Sequence, residues 1–126
     1  MKPRWLDRRI AAPGPFLTLC LSEGDFEAVL RHCKINERPP FVKNAWSSAT
    51  LNWFESDGNL VCAVCIRGFE GRNPVEVAGL LVHEAVHIWQ AYSTRIGESE
   101  PGDEQEAYAI QSIAQELMAE FARRMG

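Results

Sequence analysis

The chain has 126 residues, 46% of them hydrophobic and 24% charged, with 13 basic against 17 acidic side chains and a formal net charge of −4. That length is enough for one hydrophobic core without disulfides or a structural metal, and short for two, so residues 1–126 read as a single domain. The acidic balance excludes binding driven by phosphate neutralisation, hence nucleic acid as a partner. Membrane insertion is excluded too, because the longest apolar stretch, Glu76 to Trp89, is broken by His83, Glu84 and His87 before it could span a bilayer.

The N-terminus carries Lys2, Arg4, Arg8 and Arg9 ahead of an apolar stretch from Ile10 to Leu21. Pro13, Gly14 and Pro15 interrupt that stretch and no small-residue cleavage site follows, so a cytoplasmic protein is expected. Its four cysteines, Cys20, Cys33, Cys62 and Cys65, are then expected as reduced thiols.

Phe16 to Leu21 reads as a short strand, and Ser22 as the cap of a helix over Asp25 to Cys33, where Phe26, Val29 and Leu30 recur at helical spacing. Pro39 and Pro40 end this β-α unit. Ala49, Leu51 and Trp53 then alternate with Thr50 and Asn52 as in a half-buried strand, Ser56-Asp57-Gly58 supplies a turn, and Leu60 to Ile66 is rich in Val, Ile and Cys. The two runs should pair as an antiparallel hairpin.

Asn73 caps the next helix and Pro74 sits at its first position, where a missing N–H costs nothing. From Pro74 to Tyr92 apolar residues cover nearly the whole circumference, and Glu76, His83, His87 and Gln90 fall in one narrow polar stripe. That pattern predicts a central buried helix whose polar stripe has to be satisfied by partners. Thr94 to Gly102 reads as loop, and Pro101 opens a last helix running towards Arg124 with Ile110, Ile113, Ala114, Leu117, Met118 and Phe121 facing inward.

Within the buried helix lies His83-Glu84-Ala85-Val86-His87, an H-E-x-x-H arrangement. Residues four apart stand one turn above another on the same face, so two imidazoles can converge on one ion. Glu84 lies about 100° round the helix, where a carboxylate can act as general base on a water at that ion. For this composition, chance occurrence of the motif is on the order of half a percent. A catalytic zinc usually has three protein ligands. His32, at the end of the first helix beside Arg31, reads as an exposed or capping side chain, so the third ligand is sought in Asp103-Glu104-Gln105-Glu106-Ala107-Tyr108. Glu104 and Glu106 are about 200° apart on a helix and only one can face the ion.

His83 to His87 followed by Glu104 to Tyr108 resembles the gluzincin branch of zinc metallopeptidases, in which H-E-x-x-H is joined by a Glu from a following helix. It is especially similar to short metallopeptidase-like proteins encoded by phages and prophages, whose second helix carries an E-x-E-A-Y run. The resemblance spans Val75 to Gln115 and leaves the upstream residues unmatched. It implies a bacterial or phage-infected cell as the setting, one bound Zn²⁺, and Glu104 as the third ligand, being the first Glu of E-x-x-A. Tyr108 then stands where those relatives place an Asp or Asn. A phenol can hydrogen-bond a ligand or an oxyanion but brings no negative charge. Helical periodicity centres the apolar stripe closer to Glu106, so Glu104 and Glu106 both stay open.

Cys62-Ala63-Val64-Cys65 could suggest a second metal or redox motif, but on a strand positions three apart point to opposite faces, and buried structural thiols are the expectation. Trp46, Trp53, Phe54 and Trp89 read as core. The expected fold is α+β, a minimal zincin-like domain with a small antiparallel sheet, an early helix and two long metal-carrying helices. The expected activity is hydrolysis of an amide in a peptide or protein substrate, with Glu84 as base and Tyr108 or Arg67 at the oxyanion. The strand from Leu60 to Arg67 would offer a free edge to the substrate, and a protein partner would complete the cleft. A zinc-stabilised, non-catalytic binding, regulatory or phage accessory protein is the alternative.

Overall fold

A computed structural model describes residues 3–6, 16–44, 47–97 and 102–126. Lys2, Arg8, Arg9, Ile10, Pro13, Gly14, Pro15, Trp46 and Pro101, which entered the sequence reading, lie outside the described residues. The element order is β1 (Phe16–Cys20), α1 (Glu23–His32), β2 (Ala49–Ser56), β3 (Asn59–Ile66), α2 (Pro74–Arg95) and α3 (Asp103–Met125), an α+β arrangement.

Local sequence accounts for most boundaries. Ser22 Oγ accepts from the Asp25 N–H, and the Asp25 carboxylate accepts from the Leu21 N–H, so two groups at the start of α1 satisfy each other. Asp57 and Gly58 both take positive φ, the pattern of a type I′ turn, and Ser56 pairs with Asn59 across this two-residue loop. Asn73 Oδ1 accepts from the Val75 N–H at 2.8 Å, with Pro74 following as expected. Helix α2 runs through Thr94 to Arg95, beyond the expected loop boundary, and closes with the Ile96 N–H on the Tyr92 carbonyl.

The three strands lie in the order β1-β3-β2. Strands β2 and β3 are antiparallel, as expected, but β1 pairs with β3 in parallel, so the sheet is mixed rather than antiparallel. The hairpin partner already occupies one side of β3, and the crossover through α1 returns the chain to lay β3 beside β1 in the same direction. Strand β3 is therefore central, and Leu60 to Arg67 offers no free edge. The outer edges belong to β1 and β2.

Alternation on the strands sorts the core into two layers. Leu17, Leu19, Leu60, Cys62, Val64 and Ile66 pack with Val77, Leu81, Ala85, Ile88 and Trp89 of α2 and Ile113 and Leu117 of α3. On the opposite face Cys20, Val61, Ala63 and Cys65 pack with Phe26, Val29 and Leu30 of α1. Cys62 and Cys65 thus point to opposite faces as predicted, and all four cysteines are free thiols. Burial pushes the Cys62 thiol up to about 12.

Helix α2 is not buried all round. Its buried face carries Val77, Leu81, Glu84, Ala85, Ile88, Trp89 and Tyr92, while Val75 and Val82 are exposed, Val75 by 76%. Among the described residues, two helices on one face of a three-stranded sheet leave part of the α2 circumference without a neighbour.

The C-terminal part of α3 is fastened by a buried carboxylate. Glu120 accepts from Arg123 Nε and Nη2 and from Arg4 Nε, at 2.7–2.9 Å. Arg123 donation, aided by Arg4, holds the Glu120 carboxyl below its ordinary value of 4.5 against the opposing effect of burial. The unfolded chain therefore binds this proton more readily, and the stabilisation is present above the ordinary value and is lost as pH falls through it towards the lowered one. Glu120→Gln should cost about 2 kcal/mol in urea unfolding at neutral pH, less than a fully buried pair because both guanidinium groups are half exposed. The difference from the parent protein should shrink as pH is lowered.

Candidate functional site

The rotation of α2 that buries Val77, Leu81, Ala85 and Ile88 turns His83 and His87 outward, over a cavity of about 700 Å³ between α2 and β2. The i, i+4 spacing brings the two rings together: His83 Nε2 and His87 Nε2 stand 3.2 Å apart, with ring centroids at 4.9 Å. Gln90, one turn further on, places its Oε1 3.0 Å from His87 Nδ1. Two nitrogens bound to one zinc at about 2.0 Å and spread at a tetrahedral angle lie about 3.3 Å apart. The histidine pair therefore fits two places on such an ion. Among the described residues, no group of three His, Cys, Asp or Glu is placed to hold a metal.

Glu84 is 5% exposed, on the buried side of α2, and still lines the cavity. Burial raises its carboxyl above the ordinary value, and His83, His87 and Lys43 draw it back. A carboxylate beside two imidazoles and at the edge of the core is suited to accept a proton from a water in the cavity.

The opposite wall is β2. Its side chains Ala49, Leu51, Trp53 and Glu55 face the cavity, and Trp53 is 58% exposed, so it is not the core residue its alternation suggested. The Arg67 N–H donates to the Ser48 carbonyl at 3.0 Å, which sets the phase of the ladder. Thr50, Asn52 and Phe54 then bond to β3, while Leu51 and Trp53 turn their N–H and C=O to the outer edge. No strand among the described residues pairs with that edge. Arg95 closes the far end through Glu55 and the Gly58 carbonyl. At the near end, Arg67 donates to the Ser47 and Asn44 carbonyls and Arg72 donates to Ser48 Oγ, bracing the segment that carries Lys43.

Of the residues expected at the site, His83, Glu84 and His87 are brought together. Tyr108 is 63% exposed and does not line the cavity, and Arg67 is committed to the loop carbonyls. Glu104 is exposed on the first turn of α3 and is not in the cavity lining. Glu106 instead accepts from the Trp89 indole N–H at 2.7 Å, tying the start of α3 to α2. His32 is exposed, with its ring against Trp5. Sequence reasoning missed Lys43, Trp53 and Arg95. Gln90 was visible on the polar stripe, three residues after His87, but its role was not.

No family model, curated protein or solved structure matches the chain. What the site can do follows from its own groups.

The two acidic candidates on α3 separate by experiment. In metal-free protein, Glu106→Ala leaves the buried Trp89 N–H without its acceptor and should cost about 1–3 kcal/mol in denaturant unfolding, whereas Glu104→Ala should stay within about 0.5 kcal/mol. Zinc content of the same two proteins tests the ligand role: Glu104→Ala should lose metal, and loss confined to Glu106→Ala would reassign the third ligand.

Proposed function

We propose that the protein is a zinc-dependent hydrolase that cleaves an amide bond in an extended peptide. The observation that carries this reading is the convergence of His83 and His87 Nε2 at 3.2 Å, with the Glu84 carboxylate beside them in one open cavity. A zinc ion held by His83 and His87, with the third place assigned to Glu104 by the gluzincin resemblance alone because Glu104 does not line the cavity, would polarise the scissile carbonyl and lower the pKa of water. Glu84 takes the proton of the attacking water and hands it to the leaving amine. Its partial burial keeps the carboxylate oriented and short of competing solvent.

Lys43 lines the same cavity and acts on Glu84 electrostatically, and no ion pair holds it among the described residues. It takes the oxyanion role that the sequence suggested for Tyr108 or Arg67. The substrate lies along the outer edge of β2, where the backbone groups of Leu51 and Trp53 offer the hydrogen bonds of an added strand. This moves the expected peptide-binding edge from Leu60 to Arg67 onto Ala49 to Ser56.

Glu84→Gln should retain zinc and lower hydrolysis of an unfolded protein substrate by about 10²-fold or more. Unchanged turnover would refute the base role of Glu84, and a zinc-loaded wild type without turnover would favour the non-catalytic alternative, since a structural zinc needs no base. In wild type, chelation should lower both the melting temperature and the activity.

Trp53→Pro removes one outward N–H without touching the β2–β3 ladder, a place where proline is tolerated in an edge strand. It should raise KM well beyond the change caused by Trp53→Ala, with zinc content unaltered.

A further inference from the structure

Gln90 presents Oε1, an acceptor, to His87 Nδ1 at 3.0 Å. That contact is a hydrogen bond only if His87 carries its proton on Nδ1, and in a neutral ring Nε2 is then a bare lone pair. This lone pair faces His83 Nε2 at 3.2 Å. Two lone pairs at that distance repel, so in the metal-free protein the His83 Nε2 carries a proton and donates it to His87.

The order along the face of α2 is therefore a directed chain: His83 Nε2–H to His87 Nε2, and His87 Nδ1–H to Gln90 Oε1. We infer that Gln90 is a positioning residue that holds His87 permanently in the tautomer a metal needs, while His83 is the ligand that has to change tautomer when metal arrives. This rests on the zinc reading proposed above.

The proton balance is simple. Metal entry requires the His83 Nε2 proton to leave to solvent and another to be taken up on Nδ1, with no net change on the ring. His83 is exposed, so water can carry both transfers. His87 needs no such exchange, because Gln90 has already set it. Gln90 is itself exposed, so its replacement leaves the packed face of α2 intact. Groups that orient a metal-bound imidazole through its second nitrogen typically change metal affinity 10–100-fold.

The test is nitrogen-15 NMR of the histidine rings in metal-free wild type and Gln90→Ala at about pH 8.5, above the usual imidazole range, followed by titration with zinc chloride. Signals are assigned with His83→Asn and His87→Asn. In metal-free wild type, His87 should show the Nδ1–H tautomer and His83 the Nε2–H tautomer. Zinc should convert His83 to Nδ1–H and leave His87 unchanged. Gln90→Ala should show mixed His87 tautomers and about tenfold weaker zinc binding or more, and Gln90→Glu should restore the Nδ1–H form.

A metal-free His87 in the Nε2–H form, or a Gln90→Ala protein with wild-type tautomers, would overturn the inference. So would wild-type zinc affinity in Gln90→Ala. Failure of the wild type to take up zinc would overturn the proposed function and the His83 switch. The tautomer lock of His87 by Gln90 would still be decided by the metal-free spectra.

Discussion

The rotation of α2 about its own axis is the constraint on which the rest of the site depends. Val77, Leu81, Ala85 and Ile88 form one stripe that has to leave water, and β3 offers Leu60, Cys62, Val64 and Ile66 as the surface to cover it. Once that stripe is docked, each remaining position on the helix has a fixed direction. His83 and His87 face the cavity, and Glu84, one step round the helix, sits where the packed face meets it. A rotation of α2 by one residue would bury a histidine or draw Glu84 into open water, so core packing and the disposition of reactive groups are a single requirement.

The hairpin supplies the other half of the cavity through strand order. Because the Asp57-Gly58 turn places β2 on one side of β3 and the α1 crossover places β1 on the other, β2 is left with an outer edge beside α2 that no strand among the described residues pairs. The ladder phase then aims the free backbone groups of Leu51 and Trp53 along the cavity wall. Arg67 and Arg72 spend their guanidinium groups on Asn44, Ser47 and Ser48, which anchors the segment bearing Lys43 at one end of the groove. Arg95 with Glu55 does the same at the other.

Two buried glutamates illustrate opposite solutions to desolvation. Glu120 is encircled by Arg4 and Arg123, and its carboxyl is held low, so it serves as a static fastener of α3 to the N-terminal segment. Glu84 is nearly as buried, but its neighbours are His83, His87 and Lys43 rather than a clasp of guanidinium groups, and burial prevails in raising its carboxyl. The first environment favours a permanent charge, and the second leaves a group able to exchange a proton. Cys20 and Cys65, opposed across β1 and β3, are a third case: the neighbouring Cys65 thiol and burial drive the Cys20 thiol far up and keep it inert.

Local chemistry written in the chain determined the elements and the reactive motif. Caps at Ser22 and Asn73, the Asp57-Gly58 turn and the i, i+4 histidines act over a few residues, and each appears where its spacing placed it. The convergence of His83 and His87 was legible for the same reason, since both lie on one helix. What depended on contacts between distant segments was not legible. The parallel pairing of β1 with β3, the central place of β3, the exposure of Val75 and Trp53, and the approach of Lys43 to Glu84 all follow from which element docks beside which. Glu106 shows the limit most directly: its spacing from His87 permitted a ligand, and only the packing of α3 on α2 decided that its carboxylate meets the Trp89 indole. Sequence periodicity specifies which faces must leave water, but the partner of each face is selected by the assembled sheet and helices together.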